Sequence, residues 1–327
     1  MRKIQFPNHF WLLLLLCFTQ LSEAGIRYIN LSPIIGQLPQ VSYPEPGDEQ
    51  SPEARYTLHA SSANYFSSAN HDNLKYKIDG ETATVQQSFE LGLEHGLIGI
   101  TNRWFQHSSG SMDSMIYDFH DLFGMPQNGR STANNGQINW LIEANNQDFY
   151  TLQHSVSGFG DTSLFYEFRH LKQIRNLRLE VSIPSGSTAN RTSTETWGLS
   201  VSSSLVGPAL FAEQEYLPTL KTWFGLGANI LHNDDSLDAI KLNPLVAAFV
   251  AGAIYDASDS WDFEAQINTN SPYFDSEIRE LGWVPIIASF ASGYRFNTSK
   301  VQLGFSQDLR PGTSPDFSVF FAFNYDF

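Results

Sequence analysis

The segment 316–327, DFSVFFAFNYDF, sets Phe317, Val319, Phe321, Phe323, Tyr325 and Phe327 on alternate positions. Asp316, Ser318, Asn324 and Asp326 fall between them, with Phe320 and Ala322 the two apolar residues on that second face. A period of two is the period of a β-strand, whose successive side chains point to opposite faces. One face of this strand is wholly apolar and the other is mostly polar, and the sequence ends on Phe327. Such a strand suits a wall with lipid on one side and water on the other. It is expected to be the closing strand of an outer-membrane barrel, with those six side chains facing the membrane.

The opposite end of the sequence carries a matching expectation. Arg2 and Lys3 precede a short apolar stretch over 11–18, and Ser22-Glu23-Ala24 supplies small residues at the two positions a signal peptidase reads. This predicts a signal peptide over 1–24, cleaved before Gly25. The apolar stretch is far short of the ~20 residues a spanning helix needs. Cys17 is the single cysteine and would leave with the signal, so disulfides, thiolate metal sites and cysteine nucleophiles are excluded from the mature chain. No later apolar run is long enough for a membrane helix. A membrane protein without such helices must close a sheet on itself, because lipid offers no partner to a backbone amide. Charged residues make up 16% of the chain, below the ~25% of soluble domains, while aromatics reach 14%. Mean hydropathy is only −0.24. A lipid face combined with a wet lumen accounts for all three figures. The formal charge of −15 argues against a nucleic-acid partner; without 1–24, 17 basic and 33 acidic residues remain.

The expected architecture is therefore all-β, a closed antiparallel transmembrane barrel over 54–327. A Pro-rich arm precedes it over 25–53 (Pro33, Pro39, Pro44, Pro46, Pro52) and is expected in the periplasm, with folding back into the barrel as its other course. Alternation marks fourteen segments: 54–67, 82–94, 97–106, 136–145, 149–157, 161–171, 175–184, 196–206, 221–231, 246–256, 260–269, 283–296, 300–309 and 316–327. Twelve and sixteen are the neighbouring even counts. Short turns and long connections alternate between segments, as they do between the periplasmic and outer ends of such barrels. Two links resist the rhythm: 207–220 is long where a turn belongs, and 158–160 is tight where an outer loop belongs. On this parity Arg103, Glu167, Arg169, Arg178, Glu180, Asp262 and Glu264 face the lumen. Their mixed signs suit cross-strand pairing, with Arg178 and Glu167 on adjacent strands, and suit a strongly ion-selective pore poorly.

The stretch 110–130, GSMDSMIYDFHDLFGMPQNGR, breaks the strand period. Met112, Met115, Ile116, Phe119, Leu122 and Phe123 recur at threes and fours, as on one face of a helix. Ser111 is the expected N-cap, and Gly124 and Pro126 the expected stop. The helix is placed in the longest outer connection, either outside or folded into the lumen as a plug. Its candidate residues are Asp113, Ile116, Asp118, Phe119, His120, Asp121, Phe123 and Arg130, the last as an anchor to a lumen carboxylate. Asp113, Asp118, His120 and Asp121 have the donor chemistry of a calcium site, but three-residue spacing also describes a solvated face, and neither a metal nor a cofactor is expected.

The pattern Gly110-x-x-Asp113-x-x-Ile116-x-x-Phe119-His120-x-x-Phe123-Gly124-x-Pro126-x-x-Gly129-Arg130 resembles the signature of the domain-of-unknown-function 3187 family of proteobacteria. Ser62-Ala63-Asn64-Tyr65, Asp79-Gly80-Glu81-Thr82, Ile183-Pro184-Ser185-Gly186 and Ser314-Pro315-Asp316 extend the resemblance over nearly the whole mature chain. Pro184-Ser185-Gly186 stands where relatives more often carry Pro-Thr-Gly. The resemblance implies a Gram-negative outer-membrane protein with no established activity.

Three functions fit a barrel of this kind. A passive channel or binding barrel for small molecules is the first. A structural or surface-contact barrel is the second, and a filled lumen would favour it. An outer-membrane hydrolase is the third; the Ser/His neighbours here, His107 with Ser108 and His154 with Ser155, are adjacent in sequence and so face opposite sides of a strand. No catalytic residue is expected. The expected partners are outer-membrane lipid and lipopolysaccharide, the barrel-assembly machinery through the final strand, and a small-molecule ligand.

Overall fold

The computed structural model describes residues 25–45, 52–71, 74–124, 136–144, 147–169, 176–207, 220–233, 240–310 and 314–327. The signal peptide expected over 1–24, the link 208–219, Pro126 and Arg130 lie outside the described residues. Among the described residues there are fourteen strands: β1 (Ala54–His71), β2 (Leu74–Leu93), β3 (Gly96–Ser108), β4 (Trp140–Ala144), β5 (Gln147–Leu152), β6 (Val156–Arg169), β7 (Asn176–Ile183), β8 (Thr196–Gly207), β9 (Leu220–Asn233), β10 (Leu245–Asp256), β11 (Trp261–Asn270), β12 (Ile286–Phe296), β13 (Ser299–Asp308) and β14 (Phe317–Asp326). Helix α1 spans Asp113–Phe123, and one helical turn, α2, spans Arg279–Gly282.

Twelve of these strands close the barrel. β1 pairs with β2 through its whole length and with β14 on its other edge, so the sheet has no free end there. β3 pairs directly with β6, and from β6 to β14 every strand pairs with the next. The sequence reading counted 136–145 and 149–157 as wall strands; that is corrected to a hairpin, β4–β5, outside the ring of twelve. Its origin is a length mismatch. β2 runs 20 residues, but β3 ends at Ser108 opposite Glu81. The part of β2 beyond Glu81 would present an open edge, which needs a partner, and β4 pairs with it over 74–77. The tight outer loop expected at 158–160 is likewise absent, because β6 runs unbroken through it. The parity of every other strand survives, since two strands were removed together.

Phe327, the start of β1 and the links 94–95, 257–260 and 297–298 share one end, the turn end. The connections 109–155, 184–195 and 271–285 share the other, the loop end. Outward side chains form an apolar coat: Leu226 is 58% exposed, Leu303 61%, with Phe263, Phe290, Leu199 and Ile98 beside them. The inner face is polar. Ser61–Thr84, Ser88–Thr101, Ser163–Ser182 and Ser289–Ser306 form hydroxyl rungs of 2.7–2.8 Å between neighbouring strands. All but one of the closing-strand residues expected on the lipid face, Val319, Phe321, Phe323, Tyr325 and Phe327, are exposed or half-buried. Phe317, on the same face, is covered.

Residues 25–45 occupy the lumen. The sequence reading placed this part of the arm in the periplasm; the finding is its other course, a re-entrant loop inside the barrel. Inward side chains meet it from many sides: Gln266 of β11 at Ile26, Asn229 of β9 at Pro39, Ser202 of β8 at Ser42 and Asn176 of β7 at Glu45. Gln40 ties the two limbs together, donating to Asn30 O and Ile35 O and accepting from Asn30 N. The tip is a 3-10 turn at Ile35–Gln37, where the Gln37 amide meets the Tyr150 hydroxyl of β5. Around it lies the main apolar core: Leu31, Ile34, Ile35 and Leu38 of the arm, Trp140, Ile142 and Leu152 of the hairpin, and Tyr273, Phe274, Ile278 and Leu281 of the loop before β12. Thus the loop end is roofed by apolar packing and the rest of the lumen is a polar wall around a peptide.

Candidate functional site

The site is the contact between arm and inner wall. Its closest approach is a row of glycines. Inward-facing Gly198, Gly227 and Gly225 lie under Pro39, Val41 and Tyr43, the alternate residues of an extended chain. A Cβ on these glycines would come within 2.4, 2.4 and 2.7 Å of those side chains. Strand glycines usually mark such a backbone approach.

Ion pairs fasten the arm at the turn end. Arg55 of β1 donates to Glu45 at 2.9 Å and to Asp326 of β14 at 2.6 Å. Arg27 bridges Glu45 at 3.1 Å and Glu90 of β2 at 3.3 Å. Burial pushes the Glu45 carboxyl up, but Arg55 and then Arg27 outweigh it and hold it down at about 2, from an ordinary 4.5. The same burial pushes the Tyr43 hydroxyl up.

All seven charged residues expected in the lumen face inward. Glu167, Arg169, Arg178, Glu180, Asp262 and Glu264 are buried. Glu167 and Arg178 do stand opposite one another in register. The ion pairs, however, also run along the strands: Arg169 to Glu167 at 3.2 Å and Arg178 to Glu180 at 2.8 Å. Lys300 reaches Glu264 at 2.9 Å and Asp262 at 3.3 Å, and Arg295 reaches Asp262 at 2.7 Å. Arg103 differs. It stands opposite Gln86 of β2 in unbroken register, on the inward parity of β3, while the β3–β6 register shift beside it places the extra residue on β6, at Gly160 and Asp161. Its guanidinium donates to neutral acceptors, Gln86 Oε1 at 3.0 Å and Gly36 O at 3.2 Å.

The helix does not plug the lumen. α1 packs against the outer face of the wall at β1, β2 and β14. Asn64 and Glu81 lie on the outward parity of β1 and β2, directly opposite each other. Asp113 accepts from the Asn64 amide at 3.0 Å and from Gly136 N at 2.8 Å. Glu81 Oε1 accepts from Asn64 and from the backbone N–H groups of Ser111 and Met112. The cap is therefore corrected: Met112, not Ser111, is the N-cap residue and makes no side-chain cap bond, and Glu81 from the wall accepts from the N–H groups at the helix entry instead. Gly110 (φ 69°) has no room for a Cβ beside Glu81. Gly124, with φ 64°, closes the helix as expected. Ile116 and His120 face the wall and are buried, and the Phe119 ring lies 5.5 Å from that of Phe317, which it covers. Asp118, Asp121, Met115, Tyr117 and Leu122 are exposed. Among the described residues no three His, Cys, Asp or Glu side chains are grouped as metal ligands are. Four motif pieces that are remote in sequence meet here: Asn64, Glu81, the Gly110–Asp113 turn, and Asp316, whose N–H donates to Asn64 O.

The protein-family model described as "Protein of unknown function (DUF3187)" matches residues 21–327. The chain belongs to this family. No curated protein matches it in sequence. Among solved structures, the COG4313 outer membrane channel from Pseudomonas putida F1 is similar at TM-score 0.55 and 12% identity, over 88% of this chain and 100% of that one. The Pseudomonas putida toluene transporter TodX is similar at TM-score 0.37 and 9% identity, over 84% and 90%. The NanC porin follows at 0.39 and 8%, over 83% and 98%. The first of these shares the fold. A closed barrel with an apolar coat and such a neighbour places this family member in the bacterial outer membrane, in contact with its lipid.

Sequence reasoning located the inward charges and the helix. It missed the glycine track and the roles of Asn64 and Glu81. The glycines were visible on one parity of two adjacent segments, Gly198 on one and Gly225 with Gly227 on the other, which is the signal that could have found them.

Proposed function

We propose that this protein is a passive outer-membrane channel for small molecules, held shut at rest by its own residues 25–45. One observation carries the reading. The arm meets the wall through side chains and shares no β-ladder with it, while the wall behind it is lined by hydroxyls and amides suited to water. A segment held this way can leave without breaking the barrel. The charged residues of the lumen, being of both signs, support weak selectivity. No catalytic residue belongs to this reading; the ring nitrogens of His107 are engaged by Thr82 Oγ1 and Arg191 O, both at 2.7 Å. Insertion through the barrel-assembly machinery by way of β14 belongs to the same proposal.

The test is conductance in planar bilayers of the full chain and of a variant lacking 27–45, each first checked for heat-modifiable migration. The expected result is low or intermittent current for the full chain and a large, steady increase for the variant. The apolar roof over the loop end favours the second reading, a structural barrel without transport. Silence of both proteins, and of a third lacking the β4–β5 hairpin as well, would establish that reading instead.

A further inference from the structure

A cavity of about 60 Å3, counted as space open to the centres of water molecules, lies between the arm and the inner wall. A water needs roughly 10–15 Å3 by that measure, so the space suits a molecule of a few heavy atoms. A guanidinium that faces no carboxylate and two unbonded polar groups line it. Arg103 makes its hydrogen bonds to Gln86 and Gly36 and, among the described residues, pairs with no carboxylate. The Tyr43 hydroxyl is buried and bonded to nothing. Asn268 Nδ2 is likewise buried and unbonded. The orientation of that amide follows from its neighbours. Gln266 accepts from Ile26 N and donates to Ile26 O, which fixes its own amide, and its Nε2 then donates to Asn268 Oδ1. The Asn268 nitrogen is thus the group left over.

A guanidinium, a phenol and an amide N–H lining one small space call for an acceptor that carries negative charge. Glu45 lines the same cavity and is engaged by Arg27 and Arg55, and Glu180 is engaged by the lining residue Arg178, so a second full negative charge would be repelled and a monoanion is favoured. Trp223 and Ile26 supply apolar surface beside the donors, which suits an organic substituent. We propose that this cavity is a binding site for a small monocarboxylate, its carboxylate on Arg103, Tyr43 and Asn268 and its carbon end against Trp223. The site deepens the channel reading by naming a ligand class. Because arm and wall both line it, its occupant bridges the two.

The experiment uses the full mature chain, purified in detergent at pH 7, and follows its thermal unfolding with sodium acetate and sodium propionate against sodium chloride at equal ionic strength. A ligand of the folded state raises Tm with a saturable dependence on concentration. Acetate or propionate is expected to do so and chloride is not. Arg103→Gln and Tyr43→Phe are each expected to weaken the apparent affinity about tenfold or more. Equal shifts with chloride, no shift at all, or shifts unchanged in both variants would overturn the site. Should Arg103→Gln fail to fold, Tyr43→Phe, which removes one oxygen, decides alone. Conductance is recorded separately on the same preparation. A protein that conducts but ignores carboxylates loses the site and keeps the channel; one that binds them but never conducts keeps the site and loses the channel.

Discussion

At the scale of single residues, two positions control whether the arm stays seated. Gly227 is the first. Its missing side chain gives room to Val41, and a Cβ there would sit 2.4 Å from Val41 Cγ1. Gly227→Val is expected to destabilise the seated arm by about 1–3 kcal/mol, the usual cost of overpacking, and to raise bilayer conductance while β9 keeps its place in the wall. Glu45 is the second. Its carboxyl titrates at about 2 in the folded protein and at 4.5 ordinarily. A group whose folded value is depressed contributes stability that is full above its unfolded value and is lost as pH falls through the folded one. Protease cleavage within 25–45 is therefore expected to be slow at pH 7 and to accelerate as pH drops from 4.5 towards 2. Glu45→Gln is expected to flatten that profile. The charged lumen residues were legible because inward polarity follows directly from strand parity. Gly227 was not, since a glycine's importance lies in what approaches it.

At the scale of elements, α1 shows how a family motif can be conformational rather than chemical. The helical period of 110–130 gave its existence and its stop at Gly124. Its location depended on Asn64 and Glu81, two polar residues on an otherwise lipid-facing parity. Polar residues on that face are costly unless paired, and here they hold the helix entry. Glu81→Ala removes the acceptor for Ser111 N, Met112 N and the Asn64 amide. Leaving the buried Asn64 amide without that acceptor costs about 1–3 kcal/mol. The expected outcome is rapid proteolysis within 110–124, while the heat-modifiable migration of the barrel is unchanged. The hairpin β4–β5 teaches the complementary lesson. Trp140 and Ile142 alternate just as wall residues do, because they too cover a core; alternation reports a two-faced strand and is silent on whether it pairs inside the ring or off its edge.

At the scale of the whole molecule, two solvents divide the chain. The outer coat is stabilised by lipid, so a charge placed there is expected to act on insertion rather than on function. Leu226→Arg, near the middle of β9 on the coat, is expected to cost about 2–4 kcal/mol if it lies at the bilayer midplane. Folding into vesicles, read by gel mobility against urea concentration, checks it. The interior behaves as a protein core instead. The arm, the hairpin and the loop before β12 supply apolar packing that a water-filled tube would lack, and the ion pairs at Arg55 and Arg27 fasten the arm's turn-end limbs.

The amino-acid sequence alone determined the solvent on each face, the antiparallel alternation, the end at which most links are short and the presence of the helix. All of these are local: a period of two or of 3.6 is set by the backbone and read within a dozen residues. Tertiary structure decided the count of twelve, the hairpin standing outside the ring, the helix on the outer wall and the arm within the lumen. Each of those rests on contacts between residues as distant as Pro39 and Asn229, or Asn64 and Asp113. Such contacts depend on which strand closes against which, and closure is a property of the whole sheet that no single segment encodes.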